Sequence, residues 1–117
     1  MQQPMEIRLR SDKKNLSIAF SAGEIYEYSA ELLRVESPSA EVKGHAPHEK
    51  KIVAGKKDIT IKAIEPVGHY AVKIIFSDGH QTGLYTWSYL QELGTEKDQL
   101  WAEYLENIEK MNLKREL

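Results

Sequence analysis

The chain has 117 residues and a formal net charge of -2, with 16 lysines and arginines against 18 acidic residues, so it lacks the overall basic charge typical of nucleic-acid-binding domains. It contains no cysteine, which excludes disulfides, thiol nucleophiles and cysteine-ligated metal centres. The length suits one domain with a single core, and no apolar run approaches the roughly 18 residues of a membrane span. Because the N-terminus also lacks a signal-peptide core, we expect a cytoplasmic protein.

Short β-strands are predicted in the N-terminal third of the chain. Apolar and polar side chains alternate with a period of two, which predicts strands over residues 6–11, 15–20 and 25–28. Ser29 is predicted to cap a short helix over residues 30–35 through its hydroxyl. This helix must end before Pro38, because proline disfavours helical geometry at the residue before it.

The longest irregular stretch covers residues 36–57, and a connection of this length in a compact domain is usually functional or mobile. It is basic in its second half, where five lysines stand near two histidines: Lys43, Lys50, Lys51, Lys56 and Lys57 beside His45 and His48. An acidic protein partner and a plain solvated loop both fit this composition. We also predict a brief strand at Ile52–Val53.

A β-hairpin followed by a helix is predicted over residues 66–94. After a strand over residues 58–65, residues 70–77 alternate as a second strand, and Asp78-Gly79 predicts a two-residue turn with positive φ at both positions. Residues 80–85 are predicted to return as a third strand. Thr86 is predicted to cap a helix that ends at Gly94.

A separate amphipathic helix is predicted to begin at Thr95, whose spacing to Asp98 is that of a capping box. Its apolar side chains recur at helical spacing: Leu100, Trp101, Tyr104, Leu105, Ile108 and Met111. We therefore divide the chain into a β-rich part, residues 1–94, and a terminal helix, residues 95–117. This helix packs on the same domain or extends it.

Known catalytic and metal-binding patterns are missing from the sequence. Neither phosphate-binding glycine loops, nucleophile elbows nor histidine–glutamate zinc motifs occur. We expect no catalytic residue, no cofactor and no native metal site, and nucleic-acid binding is a third reading that the acidic net charge disfavours.

Two runs of the sequence resemble the DUF971 family, also called gamma-butyrobetaine hydroxylase-like N-terminal domains. They are LRVESPSAEVKGH (Leu33 to His45) and PVGHYAVKIIFSDGHQTGLYTWSYLQELG (Pro66 to Gly94), and the resemblance covers residues 5–94. It implies an α+β fold, a small and mostly antiparallel β-domain with short helices, here followed by the C-terminal amphipathic helix. Such domains stand alone in bacteria, or are joined to 2-oxoglutarate-dependent oxygenases or to iron–sulfur carrier ATPases.

In the oxygenase branch, the resemblance implies a structural zinc held by three cysteines and one histidine. His80 matches that histidine, whereas Ser37, Ser39 and Val42 stand at the cysteine positions. Two serines and a valine cannot replace three thiolates as zinc ligands. We therefore predict that the zinc site is lost and that His80 hydrogen-bonds toward the 37–45 loop instead.

We predict a non-enzymatic module that binds a protein through the 37–57 loop and the hairpin edge. The partner would be an iron–sulfur carrier ATPase or an oxygenase. The predicted binding residues are Lys43, His45, Lys50, Lys51, His80 and Trp87. The alternative is a small-ligand or metal-binding protein in which His45, His69 and His80 converge. Homodimerisation through the hairpin edge or the terminal helix stays open.

Overall fold

The computed structural model describes residues 3–44 and 50–117. Within these ranges, two three-stranded antiparallel sheets combine with three helices, so the predicted α+β class is confirmed. In chain order the elements are β1 (Glu6–Leu9), β2 (Asn15–Ser21), β3 (Glu24–Ser29), α1 (Ala30–Val35), α2 (Ala40–Lys43), β4 (Ile61–Val67), β5 (Ala71–Phe76), β6 (Leu84–Thr86) and α3 (Trp87–Lys110). None of the described helices is long and apolar enough to cross a membrane.

The first sheet is a meander in the order β1-β2-β3. Its inner face carries Leu16, Ile18 and Phe20, which are fully buried, and its outer face is mostly polar apart from Ala19 and Ile25. Ser29 caps α1 as predicted, because its hydroxyl accepts a hydrogen bond from the Leu32 amide at 3.0 Å. The period-two pattern therefore predicted this sheet correctly.

The second sheet has the order β4-β5-β6, and its turn differs from the prediction. Of the two predicted turn positions, Asp78 and Gly79, only Gly79 has a positive φ, of 91°. The Phe76 amide donates to the His80 carbonyl at 3.0 Å, so the loop holds three residues rather than two. The prediction of a strand over residues 80–85 was wrong for 80–83, since β6 begins at Leu84. His80 instead turns its side chain inward.

The stretch before β4 also departs from the predicted strands. Ile52–Val53 do not form a strand, because they pack against a small cluster around Tyr104, whose hydroxyl donates to the Val53 carbonyl at 2.6 Å. β4 begins at Ile61, later than predicted, because residues 56–59 form a turn in which the Ile59 amide donates to the Lys56 carbonyl.

The helix predicted to end at Gly94 continues, so that prediction was wrong. α3 runs unbroken from Trp87 to Lys110, and its first turn is capped by the Thr86 hydroxyl as predicted. Gly94 lies against the Tyr26 ring, and a Cβ there would stand 2.5 Å from the ring. Glycine at this position serves close packing rather than helix termination. The predicted capping box is also absent, since the Thr95 hydroxyl donates to the Glu92 carbonyl.

One main core lies between the two sheets, α1 and α3. It includes Leu16 and Phe20 from the first sheet, Ile74 and Phe76 from the second, and Leu90 from α3. α3 contacts both β3 and β6, so a single helix joins the two sheets. The domain boundary that we drew at residue 94 falls inside this helix.

Candidate functional site

The buried polar residues Ser37, Ser39 and His80 meet in one cluster. The His80 Nε2 atom lies 2.9 Å from the Ser37 Oγ and 3.5 Å from the Ser39 Oγ, and the two hydroxyls are 3.3 Å apart. Ser37 is completely buried, and Ser39 and His80 are nearly so. The predicted hydrogen bond from His80 to the 37–45 loop is therefore present.

Backbone geometry on both sides brings these side chains together. Ser37 and Ser39 lie in the turn between α1 and α2, where the Ser37 amide donates to the Arg34 carbonyl. His80 follows the Gly79 turn, and its amide donates to the Asp78 carboxylate at 3.0 Å. Gly83 completes the contact, because a Cβ there would stand only 2.3 Å from the Ser37 Oγ.

The other ring nitrogen of His80 faces a carboxylate. Its Nδ1 lies 3.4 Å from the Glu41 Oε2, and the Thr82 hydroxyl donates to the other Glu41 oxygen at 3.2 Å. Burial, followed by the positive charge of Arg34, lowers the pKa of His80, and Glu41 and Asp78 offset this only in part. The imidazole is therefore neutral at pH 7.

The three side chains contact one another in the order nucleophile, base, acid that is found in catalytic triads: Ser37, His80 and Glu41. A catalytic serine must reach its substrate, and the Ser37 side chain is fully enclosed. The arrangement therefore lacks the access that acyl transfer requires.

The same residues do not fit the zinc that the family resemblance implies. The hydroxyls of Ser37 and Ser39 are neutral and share the Nε2 atom of His80 in hydrogen bonds, and Val42 is a buried aliphatic residue. Structural zinc sites use thiolate, imidazole and carboxylate ligands. Among the described residues, no three of histidine, cysteine, aspartate or glutamate group closely enough to hold a metal ion.

Asp78 forms a charged contact beside the cluster. Its Oδ2 accepts hydrogen bonds from the Arg34 Nε at 2.8 Å and the Lys56 Nζ at 2.7 Å. Burial alone would raise the pKa of Asp78, but hydrogen bonds from Lys56, the His80 amide and Arg34 outweigh it and lower the pKa to about 2. The Asp78 carboxylate thus connects α1, through Arg34, and Lys56 to the hairpin turn.

Two of the predicted binding residues, Lys43 and Lys50, point inward to Glu36. This carboxylate is 2% exposed, and it accepts hydrogen bonds from Lys43 at 2.9 Å and from Lys50 at 2.8 Å. The Tyr89 hydroxyl donates to the Glu36 carbonyl. Both lysines therefore stabilise the fold around a buried acid.

The remaining predicted binding residues are divided between surface and core. Lys51 is exposed, whereas Trp87 is in the core and donates from its Nε1 to the His69 carbonyl at 2.7 Å. His45 lies outside the described residues.

The predicted convergence of histidines does not occur for the described pair, His69 and His80. They flank opposite ends of β5, which has six residues, and a strand of that length spans about 17 Å at 3.3 Å per residue. They therefore cannot share one metal ion.

Sequence reasoning missed Glu36 and the pairing of Arg34 with Asp78. Arg34 and Asp78 are 44 positions apart, and Glu36 meets a lysine 14 positions away, so no local pattern reveals either contact. One indication of these contacts was present in the sequence, the cluster of lysines within residues 43–57. Such a cluster predicts that a carboxylate elsewhere in the chain pairs with some of them.

Comparison with known proteins gives a consistent family relationship. The sequence model described as "Gamma-butyrobetaine hydroxylase-like, N-terminal" matches residues 7–91. No curated protein matches the chain. Among solved structures, an NMR solution structure is 44% identical, with a TM-score of 0.85, and the alignment covers 99% of this chain and 91% of that chain.

Two further structures agree. A second NMR solution structure is 42% identical, with a TM-score of 0.84 and coverage of 99% of this chain and 86% of that chain. A crystal structure of a protein of unknown function from Acidithiobacillus ferrooxidans, assigned to the DUF971 family, is 39% identical, with a TM-score of 0.66 and coverage of 80% and 93%. The chain described here therefore belongs to the DUF971 family, the gamma-butyrobetaine hydroxylase-like N-terminal domains.

Proposed function

We propose that this chain is a non-catalytic module that binds a protein partner through the outer face of its second sheet. Residues paired across antiparallel strands share a face, so the register defines this surface. The outer face of the second sheet carries Ala63, Glu65, Val67, Lys73, Ile75 and Leu84, and it ends at Ala71, which is buried, and Thr86.

The aliphatic character of this face carries the proposal. Leu84 is 38% exposed, and Ile75 and Val67 are half-buried on the side away from the core. On the first sheet, one outer row is polar, with Arg8, Ser17 and Glu27 in register, and the next row pairs Glu6 with Ala19 and Ile25. An antiparallel sheet with one solvated face normally places polar residues there, and aliphatic residues on such a face favour a protein contact.

An ion pair on the same face adds a means of orienting the partner. Lys73 Nζ lies 3.3 Å from the Glu65 Oε1, and both side chains are at least one-third exposed. A partner that presents an apolar side chain between opposite charges would complement this surface.

We propose a non-catalytic role because the reactive side chains are buried. The Ser37 hydroxyl is enclosed and the His80 ring is almost so, while the exposed face of the second sheet carries aliphatic groups. These groups suit recognition, since apolar burial is the main driving force of association.

The family resemblance supplies the partner classes. Domains of this kind are joined to 2-oxoglutarate-dependent oxygenases or to iron–sulfur carrier ATPases, so we propose that this chain binds a protein of one of these two classes.

Binding measurements with one purified protein of each class test this proposal. Leu84→Asp should weaken the affinity at least tenfold, because the contact would then bury an unpaired charge. Ile25→Asp is the matched control, since Ile25 is 59% exposed on the outer face of the first sheet and should leave binding unchanged. Equal losses for both variants, or no micromolar binding to either class, would contradict it.

A further inference from the structure

We propose that Ser37, Ser39 and His80 form a metal-independent clasp, in which hydrogen bonds make the connection that a zinc ion makes elsewhere in the family. The proposal concerns how this chain is held together and is independent of the function proposed above. It starts from the disagreement between the residues present and the zinc that the resemblance implies.

The size of the triangle formed by these three side chains is the first argument. Its edges are 2.9, 3.3 and 3.5 Å. Ligands around tetrahedral zinc lie roughly 3.3–3.8 Å apart, given bonds of about 2.0–2.3 Å. The edge from Ser37 to His80, at 2.9 Å, is shorter than this spacing and is a hydrogen bond, so these two groups face each other rather than an ion between them.

The chemistry of the serine hydroxyls and the imidazole also argues against a bound metal ion. A serine hydroxyl stays protonated at neutral pH and both donates and accepts hydrogen bonds. Ser37 can therefore pair with the His80 Nε2 and with Ser39 at once, whereas a thiolate would need a cation. The pair of hydroxyls satisfies the buried ring nitrogen without any charge.

The clasp joins segments that are distant in sequence. Ser37 and Ser39 lie 43 and 41 positions before His80, and they anchor the turn that leads into α2. Asp78, two residues before His80, is bound by Arg34 of α1. The hairpin turn is thus fastened to the α1–α2 region at two neighbouring points.

Metal addition and removal with the wild-type chain are the first test. The purified protein should contain no stoichiometric zinc, and its melting temperature should stay within about 1 °C in the presence of EDTA or added Zn²⁺. Stoichiometric zinc, or a clear fall in melting temperature on chelation, would overturn the proposal.

Single-residue variants test the hydrogen bonds themselves. Ser37→Ala should lower the melting temperature by about 5–10 °C, equally with EDTA and with Zn²⁺, because the ring nitrogen loses the nearer of its two hydroxyl partners. Ser11→Ala, at an exposed turn, is the control and should have no effect. A melting temperature unchanged by Ser37→Ala would refute the clasp.

Restoring the thiols provides a positive test. The triple variant Ser37→Cys, Ser39→Cys, Val42→Cys should bind one Co²⁺ and show thiolate-to-cobalt charge-transfer absorption, which should weaken when His80→Gln is added. A folded triple variant without this absorption would show that the positions do not form the common site. If the triple variant does not fold, the wild-type and Ser37→Ala measurements decide.

Discussion

The two sheets of this protein are stabilised in different ways. The first is a meander whose strands pair with their sequence neighbours, and its core residues follow from simple alternation. The second follows a long connection, and its turn is held by polar contacts to Ser37, Arg34 and Lys56. Alternation predicts the strands of the first sheet, in which Tyr28 also donates to the distant Leu90 carbonyl, whereas the turn of the second sheet depends on several charged and polar groups that find distant partners. Three predictions test this contrast.

Gly83→Ala should have the largest effect, because it acts on the second sheet's polar contacts. The new methyl group would meet the Ser37 Oγ at 2.3 Å and the Pro38 Cδ at 3.2 Å, both next to the buried cluster. We expect a loss of about 3 kcal/mol in the free energy of unfolding, as for other overpacked sites. Urea unfolding at pH 7 measures it.

Gly23→Ala is the matched control in the first sheet. No atom lies within 4 Å of a Cβ at Gly23, so the change in stability should stay within about 0.5 kcal/mol. Similar losses for both alanine variants would show that the two sheets do not differ in this respect.

The second-largest loss of stability is expected in acid, where Asp78 beside the clasp becomes protonated. Its pKa is about 2 in the folded chain against an ordinary value of 3.8, so the unfolded chain binds the proton more readily. The stabilisation, about 1–2 kcal/mol once solvent screening at this partly exposed carboxylate is allowed for, is complete above about pH 5 and is lost as the pH falls through 2. The free energy of unfolding should be measured at pH 6 and at pH 2.5. Its change between these two pH values should be smaller for Asp78→Asn than for the wild type. Identical pH dependence in both proteins would refute this role.

The smallest effect is expected from Arg10→Ala in the first sheet. Arg10 pairs with Glu27 at 3.0 Å, and both side chains are more than 40% exposed. Exposed pairs contribute less than about 1 kcal/mol, and salt screens them. The loss should therefore be small and should shrink further in 0.5 M NaCl. A loss that matches Gly83→Ala would mean that surface charge also determines the first sheet.

Prediction from sequence succeeded where the cause was local. The strands of the first sheet follow from alternation, and the helix caps at Ser29 and Thr86 follow from a hydroxyl within three residues of its amide donor. It failed at Gly94, because a glycine in a helix can serve close packing on a distant ring such as Tyr26.

The candidate site could be predicted only through the family resemblance. It brought Ser37 and Ser39 to His80 across more than 40 positions, and the hydrogen bonds agree with it. The resemblance did not reveal that Lys43 and Lys50 turn inward, because that depends on the buried Glu36 and not on any motif.

The shared carboxylate of Glu36 has a consequence for how this chain tolerates change. Lys43 and Lys50 end on the same group, and the Lys51 amide donates to the Val42 carbonyl at 2.7 Å. The two chain positions that bracket residues 44–49 are thus joined by contacts outside that span. Replacing Glu36 would leave both ammonium groups without their shared partner, so the chain tolerates change less at Glu36 than at either lysine.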